Sequence, residues 1–195
     1  MMLEKDKIFE LYHKKGKSMQ EIADTLGCSL HKVAYWMEKH EIKRRSRSDA
    51  TYLKRNPDGD PFKFNSPKNL EEAKLFGLGL GLYWGEGTKA NKNSVRLGNT
   101  DPELIKRFMD FLIIFFAIKK DDMYFGLQIF SDINPNAVLD FWVKRLKIKR
   151  SQINNPVITK SRSLGTYKKK SEYGVLTVMY HNKKLRDLLV SLLPM

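Results

Sequence analysis

The residues of this chain that could act on a partner are mostly cations, and two basic runs stand out. Residues 43–47 read Lys-Arg-Arg-Ser-Arg, and residues 168–170 are three consecutive lysines. Over the whole chain, 36 Lys and Arg oppose 22 Asp and Glu, which gives a net charge of +14. A charge this positive attracts polyanions, of which nucleic acid is the commonest and an acidic membrane surface is the other candidate.

Other reactive residue types give no sign of a zinc site or of a disulfide framework. The four histidines are scattered, and with the single Cys28 they show no zinc-ligand spacing. The longest apolar runs, residues 75–84 and 111–118, are too short to cross a bilayer, and no basic-then-apolar signal opens the chain. We therefore expect a cytoplasmic protein that does not bind a membrane.

The cations of the first run follow a pair of predicted helices. Between residues 19 and 36, apolar residues recur at the spacings that join two helices across a tight turn: Ile22, Leu26, Cys28, Val33 and Trp36. A small residue lies where the helices cross, Gly27 suits the left-handed conformation of the turn, and the Ser29 hydroxyl can cap the second helix. An earlier helix with Ile8, Leu11 and Tyr12 covers the pair. Residues 3–42 resemble the helix-turn-helix of resolvases and sigma factors.

That resemblance implies which side chains meet double-stranded DNA. The second helix would present polar residues to the major groove, and the basic run would follow onto the DNA backbone: Ser29, His31, Lys32, Tyr35 and Lys39, then Lys43, Arg44 and Arg45. The alternatives are exposed helix residues without base contacts and a basic run that is only solvated.

A change of composition divides the chain. Residues 1–45 form the predicted helix-turn-helix domain, and residues 46–68 read as a basic linker with turn signals at 56–61 and 66–67 and no apolar period. Residues 69–195 mix helical and alternating patterns, which predicts an α+β domain.

This second domain opens with a helix that is rich in glycine. Capping residues and early acids at 66–72 predict its start, and it continues to about residue 87. Each interior glycine costs a helix about 1 kcal/mol relative to alanine. Gly77, Gly81 and Gly85 recur at i, i+4 and i+8, so they form one stripe without side chains, against which a second helix could pack closely. The alternatives are a strand or a glycine-rich phosphate loop, but no strand pattern precedes these glycines.

Residues 79–87, Gly-Leu-Gly-Leu-Tyr-Trp-Gly-Glu-Gly, resemble the motif that names the LAGLIDADG homing endonucleases. The order of elements around them agrees: a β-hairpin at 88–99, a helix after 101–103, a strand at 123–131, a helix at 134–146, strands at 156–161 and 173–181, and a helix at 182–193. The resemblance covers residues 70–193. It implies an αββα-type domain with a curved antiparallel sheet that binds DNA.

The same resemblance implies a metal-dependent nuclease. Glu86 would be the catalytic acid and would hold Mg²⁺ or Mn²⁺ together with the carbonyl of Gly85. Glu86 stands where the family usually has Asp, and Trp84 replaces an earlier Asp that is not a metal ligand. One motif supplies one acid, so cutting both strands would need a homodimer that meets along Gly77, Gly81 and Gly85.

Alternation along the predicted strands selects residues for the surface that faces DNA. Val95 and Leu97 are predicted to point inward, and Ser94 and Arg96 outward. The candidates for DNA contact are Lys89, Lys92, Arg96, Tyr124, Gln128, Lys160, Arg162 and Lys168.

From the resemblance we expect a site-specific, homodimeric, divalent-metal-dependent homing-type endonuclease. The alternative is a transcriptional regulator that uses a degenerate form of the same fold without cleavage.

Overall fold

The computed structural model describes residues 2–160 and 171–194, and the chain divides into two compact units, Met1–Pro61 and Phe62–Met195. The protein is α+β, as predicted, with eight α-helices and one four-stranded sheet in the described residues. Within that part of the chain, no helix combines the length and the apolar composition needed to cross a membrane.

The first unit is helical. It contains α1 (Lys5–Phe9), a π-helical stretch (Glu10–Lys14), α2 (Met19–Leu26), α3 (Leu30–Lys39) and α4 (Arg47–Arg55). Ser18 and Glu21 form a capping box at the start of α2, and Gly27 ends that helix with φ of +61°. Ser29 caps α3 by accepting from the Lys32 amide at 3.3 Å. The predicted helices, the left-handed glycine and the cap are therefore all present.

The small core of this unit lies between α1, α2 and α3. Ile22, Ala23, Val33 and Met37 are fully buried, whereas Trp36 is half-buried.

The segment after this core differs from the predicted linker, because residues 46–68 include the helix α4. Ser46 caps α4 by accepting from the Asp49 amide at 3.1 Å, but α4 buries no residue, so it leaves no apolar period in the sequence.

The second unit runs α5 (Leu70–Glu86), β1 (Val95–Asn99), α6 (Pro102–Phe116), β2 (Tyr124–Phe130), α7 (Pro135–Leu146), β3 (Val157–Thr159), β4 (Val175–Tyr180) and α8 (Lys183–Ser191). The strand order is β1-β4-β2-β3. β4 pairs antiparallel with both β1 and β2, but β2 and β3 are parallel. The prediction of a wholly antiparallel sheet was wrong because α7 carries the chain back across the sheet, so β3 starts at the same end as β2.

The predicted hairpin at 88–99 also differs from the structure. Only its second half forms a strand, β1, while Gly87 makes a single bridge to Leu97 and the Thr88 amide donates to the Arg96 carbonyl at 2.9 Å. The elements therefore follow the order αβαβαββα rather than αββα. Ser94, predicted outward, is fully buried, because its hydroxyl donates to Asn91 and accepts from Arg96.

The large core packs α6, α7 and α8 against one face of the sheet. Val95 and Leu97 point into it, as predicted, together with Phe125, Leu127 and Ile129 of β2. The aromatic side chains of α6 fill its centre: Phe108, Phe111, Phe115 and Phe116 are all fully buried. The opposite face of the sheet, called the open face below, carries the alternate residues of each strand.

Candidate nucleic-acid interface

The positive charge of the chain is concentrated in its second unit. Residues 62–195 contain 23 Lys and Arg against 12 Asp and Glu, whereas residues 1–61 contain 13 against 10. The net charges are thus +11 and +3, so the larger electrostatic attraction for a polyanion belongs to the α+β unit.

In the first unit, α3 presents the predicted DNA-contacting residues on its exposed side. His31, Tyr35 and Lys39 recur at i, i+4 and i+8 and are all exposed, with Tyr35 at 53%. The Lys39 ammonium lies 6.0 Å from the centre of the Tyr35 ring. Lys32 is half-buried, and the Ser29 hydroxyl is engaged as the cap of α3.

The basic run after α3 is not uniform. Lys43 and Arg44 are exposed, but Arg45 is bound within the first unit. Its guanidinium donates to the Gly16 carbonyl at 2.8 Å and to the Lys17 carbonyl, and it lies 4.0 Å over the Tyr12 ring. The Arg45 amide donates to the Tyr12 hydroxyl at 2.9 Å. These contacts give Arg45 a structural role that sequence reasoning did not anticipate.

In the second unit, the glycines of α5 fall into two groups. Gly79 is buried, and a Cβ added there would overlap the ring of Phe111 in α6. Gly77, Gly81 and Gly85 are exposed, and a Cβ at any of them would meet no atom within 4 Å. Contacts within the chain therefore account for Gly79 but not for the other three.

Large apolar side chains are exposed on α5 beside this stripe. Leu70 is 68% exposed, Leu78 46% and Trp84 51%. With the three stripe glycines they form a surface that we call the α5 face. Exposed apolar side chains clustered on one helix are a common sign of a contact surface.

Glu86 is the last residue of α5, and its carboxylate is exposed and makes no hydrogen bond or ion pair with the described residues. The Tyr83 carbonyl accepts from the Gly87 amide, and the Trp84 carbonyl accepts from the Lys89 ammonium. No described backbone donor reaches the Gly85 carbonyl. An unpaired carboxylate and an unpaired carbonyl thus share the negative end of a helix dipole, an arrangement that favours a bound cation.

These two oxygen donors fit the preferences of Mg²⁺. That ion takes one or two protein carboxylates and completes its shell with water and phosphate oxygens. Among residues 2–160 and 171–194, no three His, Cys, Asp or Glu side chains come together as a metal group. The fit is therefore to a partly built site, in which one chain supplies only Glu86 and the Gly85 carbonyl.

Arg186 of α8 braces the loop that follows Glu86. It donates to the Lys89 carbonyl and, at 3.0 Å, to Asp187. Its Nε is buried without a partner, as is the hydroxyl of Tyr83, whose pKa is raised mainly by burial. The sequence contained no signal for Arg186, because this contact joins residues 97 positions apart.

The open face of the sheet carries three of the other predicted DNA contacts. Arg96, Tyr124 and Gln128 lie there, with Tyr124 47% exposed. Gly98, Thr177 and Gly126 pair across the strands between the row of Arg96 and the row of Gln128, so two glycines flank Thr177 at the centre of this face. Thr177 was not anticipated from the sequence.

The remaining predicted contacts are less well placed or fall outside the structure. Lys92 is exposed in the loop before β1, and Lys89 is half-buried at the end of α5. Lys160 follows β3, and by alternation it lies on the side of Ile158, which pairs with the core-facing Ile129. The open-face partner of Gln128 is instead Thr159, at 3.2 Å. Arg162 and Lys168 lie outside the described residues.

Comparison of the chain with protein-family models, with curated proteins and with solved structures finds no match. The resemblance to LAGLIDADG endonucleases therefore rests on the motif at 79–87, because the hairpin and the antiparallel sheet expected around it differ from the structure.

Proposed function

We propose that this protein binds specific double-stranded DNA as a homodimer and cleaves it with the help of a divalent cation, Mg²⁺ or Mn²⁺. The α5 face would join the two copies, and the helix pair α2–α3 would extend the DNA contact. Glu86 would be the catalytic acid of each copy.

The observation that carries this proposal is the difference between the glycines of α5. A Cβ added at Gly77, Gly81 or Gly85 would meet no described atom within 4 Å, yet together these glycines cost α5 about 3 kcal/mol of helix stability. Close packing of a second helix would offset that cost, and a two-fold contact between copies of α5 supplies such a helix. The same contact would bring two Glu86 carboxylates to one interface.

The chain's own groups then have distinct tasks. Glu86 and the Gly85 carbonyl would hold the cation, which polarises a phosphate oxygen and activates water when it is bound. Arg96, Tyr124 and Gln128 would contact the duplex from the open face. Lys89 would keep the end of α5 closed through the Trp84 carbonyl, and Arg186 would hold the following loop in place.

Cleavage is tested by incubating the purified protein with a plasmid library in Mg²⁺ or Mn²⁺, alongside Glu86→Gln. This variant keeps the size of the side chain but removes the charge that holds the cation. We expect metal-dependent nicking by the wild type and a loss of at least about 100-fold in the variant, a typical size for loss of a preorganised electrostatic contribution to catalysis.

Glu71→Gln is the matched control, because Glu71 lies on the same helix and its only described ion pair is an exposed one with Lys74. It should leave nicking unchanged. Sequence-specific binding without strand scission in either metal, at equal affinity for wild type and Glu86→Gln, would reject the nuclease.

That outcome would favour the second candidate, a regulator that binds DNA without cutting it. One observation supports this alternative: no three His, Cys, Asp or Glu side chains come together among the described residues, so cleavage would depend on a single carboxylate from each copy. The two candidates share the same dimer and the same DNA surface, so the Glu86 experiment separates them.

A further inference from the structure

A cleft opens at the end of the sheet where β2 begins and β4 ends. It has a volume of about 530 Å³ and is lined by Asp122, Tyr124, Asn154, Tyr180 and His181. Tyr124 belongs to the open face. The backbone amide of Asn154 donates to the Phe125 carbonyl at 2.8 Å, which holds Asn154 beside the start of β2. The proposed nuclease uses Tyr124 as a DNA contact and assigns no role to the other four residues of the cleft.

Two of these groups have free hydrogen-bonding capacity. The Asp122 carboxylate and the Asn154 side-chain amide make no hydrogen bond with the described residues. Asp122 is exposed at the rim, and its charge contributes to raising the pKa of Tyr180, after burial as the larger cause. A carboxylate and an amide that line one cleft without hydrogen-bond partners can bind a ligand that offers both donors and an acceptor.

The wall of the cleft is aromatic and uncharged. The rings of Tyr124 and His181 lie 5.6 Å apart, and Tyr124 is 47% exposed. Burial, and then the positive charge of Arg96, lower the pKa of His181, so its imidazole is neutral at pH 7. Flat neutral rings of this kind stack against nucleobases.

The charges select one kind of base. Asp122 repels phosphate and accepts N–H donors, and guanine alone among the bases offers two adjacent donors, N1–H and N2–H, to one carboxylate. The Asn154 amide can donate to the guanine O6. Arg96 lies on the same cross-strand row as Tyr124, with Met179 between them, so it is suited to the phosphate of the same nucleotide.

We propose that this cleft binds the base of an unpaired guanine nucleotide, with Asp122 on its N1–H and N2–H edge and Tyr124 against its ring. The guanine could come from a free nucleotide or from a base that has left the stack of a nucleic acid. The chemistry is the same for both sources, and it requires neither cleavage nor the α5 dimer.

The test titrates the full chain, without divalent metal, with dGMP, dAMP, dCMP and dTMP by calorimetry. A second arm uses DNA duplexes that carry one unpaired guanine or one unpaired thymine. We expect guanine to be preferred over thymine by at least about fivefold, the lower end of what one bidentate base contact provides. A preference in the duplex arm alone identifies an extruded base as the source, and a preference in both arms identifies the free nucleotide as a ligand as well.

Asp122→Asn should abolish the guanine preference, because the substitution replaces one of the two acceptor oxygens with an NH2 donor that opposes the guanine N–H groups. Asp121→Asn is the matched control: Asp121 is the adjacent residue, but its carboxylate is paired with Lys149 at 2.7 Å, so the preference should remain. If Asp122→Asn does not fold, Asn154→Leu serves as the second variant and should weaken guanine binding. Equal binding of guanine and thymine in both arms, or equal effects of the two Asp variants, overturns the proposal. Nicking in the Glu86 experiment is unaffected by either result.

Discussion

The same substitution, glycine to alanine, should have opposite effects at neighbouring positions of α5. At Gly77 and Gly81 the added methyl group meets no atom within 4 Å, so each change removes a helix-destabilising glycine and adds about 1 kcal/mol to the free energy of unfolding of the monomer. The double variant should gain about 2 kcal/mol, since two exposed sites of this kind are nearly additive.

Gly79→Ala should do the reverse. Its methyl group would overlap the ring of Phe111, a fully buried residue of α6. Such overpacking costs about 1–3 kcal/mol, which the gain in helix propensity offsets only in part. We expect a net loss of up to about 2 kcal/mol for this variant.

Self-association should respond differently from folding. The two methyl groups of Gly77→Ala/Gly81→Ala would separate the paired helices, and we expect the dimer to weaken by at least about tenfold, or about 1.4 kcal/mol. Urea unfolding, at concentrations where sedimentation shows a monomer, measures the folding effect, and sedimentation equilibrium measures the dimer. The reasoning fails if the double variant is destabilised like Gly79→Ala, or if it is stabilised and associates as the wild type does.

Three other outcomes follow from contacts described above. Arg45→Ala should lower the stability of the first unit by about 1.5 kcal/mol, because it removes the charged donor to the Gly16 and Lys17 carbonyls. Arg44→Ala should leave the stability unchanged, and urea unfolding of both variants measures the difference. Folding lowers the pKa of His181, so the unfolded chain binds a proton at this imidazole at a higher pH than the folded chain does. The free energy of unfolding should therefore fall as pH decreases through about 6.5. A His181→Gln variant should show a smaller fall between about pH 7 and pH 5. If at least six phosphates are contacted, DNA affinity should drop by about 10³-fold or more between about 50 and 200 mM salt. A filter-binding assay measures this, and an affinity that does not change with salt would contradict the phosphate contacts.

The sequence was most informative where one local signal decides the structure. Ser29 and Gly27 set a helix start and a helix end through backbone geometry alone, and both are found where predicted. Alternation likewise predicted that Val95 and Leu97 of β1 face the core, because strand side chains alternate between faces. Such features depend on residues only a few positions apart.

Features that depend on distant partners could not be predicted. The parallel pairing of β3 is decided by the path of α7, and β3 itself has only three residues with no alternating burial. Arg45 was assigned to phosphate because it lies in a basic run, but its partners Tyr12 and Gly16 lie about 30 positions earlier. Ser94 was placed outward by alternation, although hydrogen bonds to Asn91 and Arg96 satisfy it inside.

The helix α4 was missed for a different reason. The sequence does contain a capping signal for α4, since Ser46 precedes Asp49 by three positions. A helix without a buried side, however, has no apolar period to support the assignment.

The ends of α6 and α7 lack the usual glycine signal for a helix end. Both helices end at a non-glycine residue in the left-handed region, Ala117 for α6 and Lys147 for α7.

The central position of β4 has a consequence for how the second unit is made. β4 is the last strand among the described residues, and Tyr180 pairs with Val95, a residue made 85 positions earlier. A nascent chain that emerges from the ribosome therefore holds β1 and β2 as two separate pieces until residue 180 is available to join them. The first unit, whose contacts all close before residue 61, can finish folding while the second is still being synthesised.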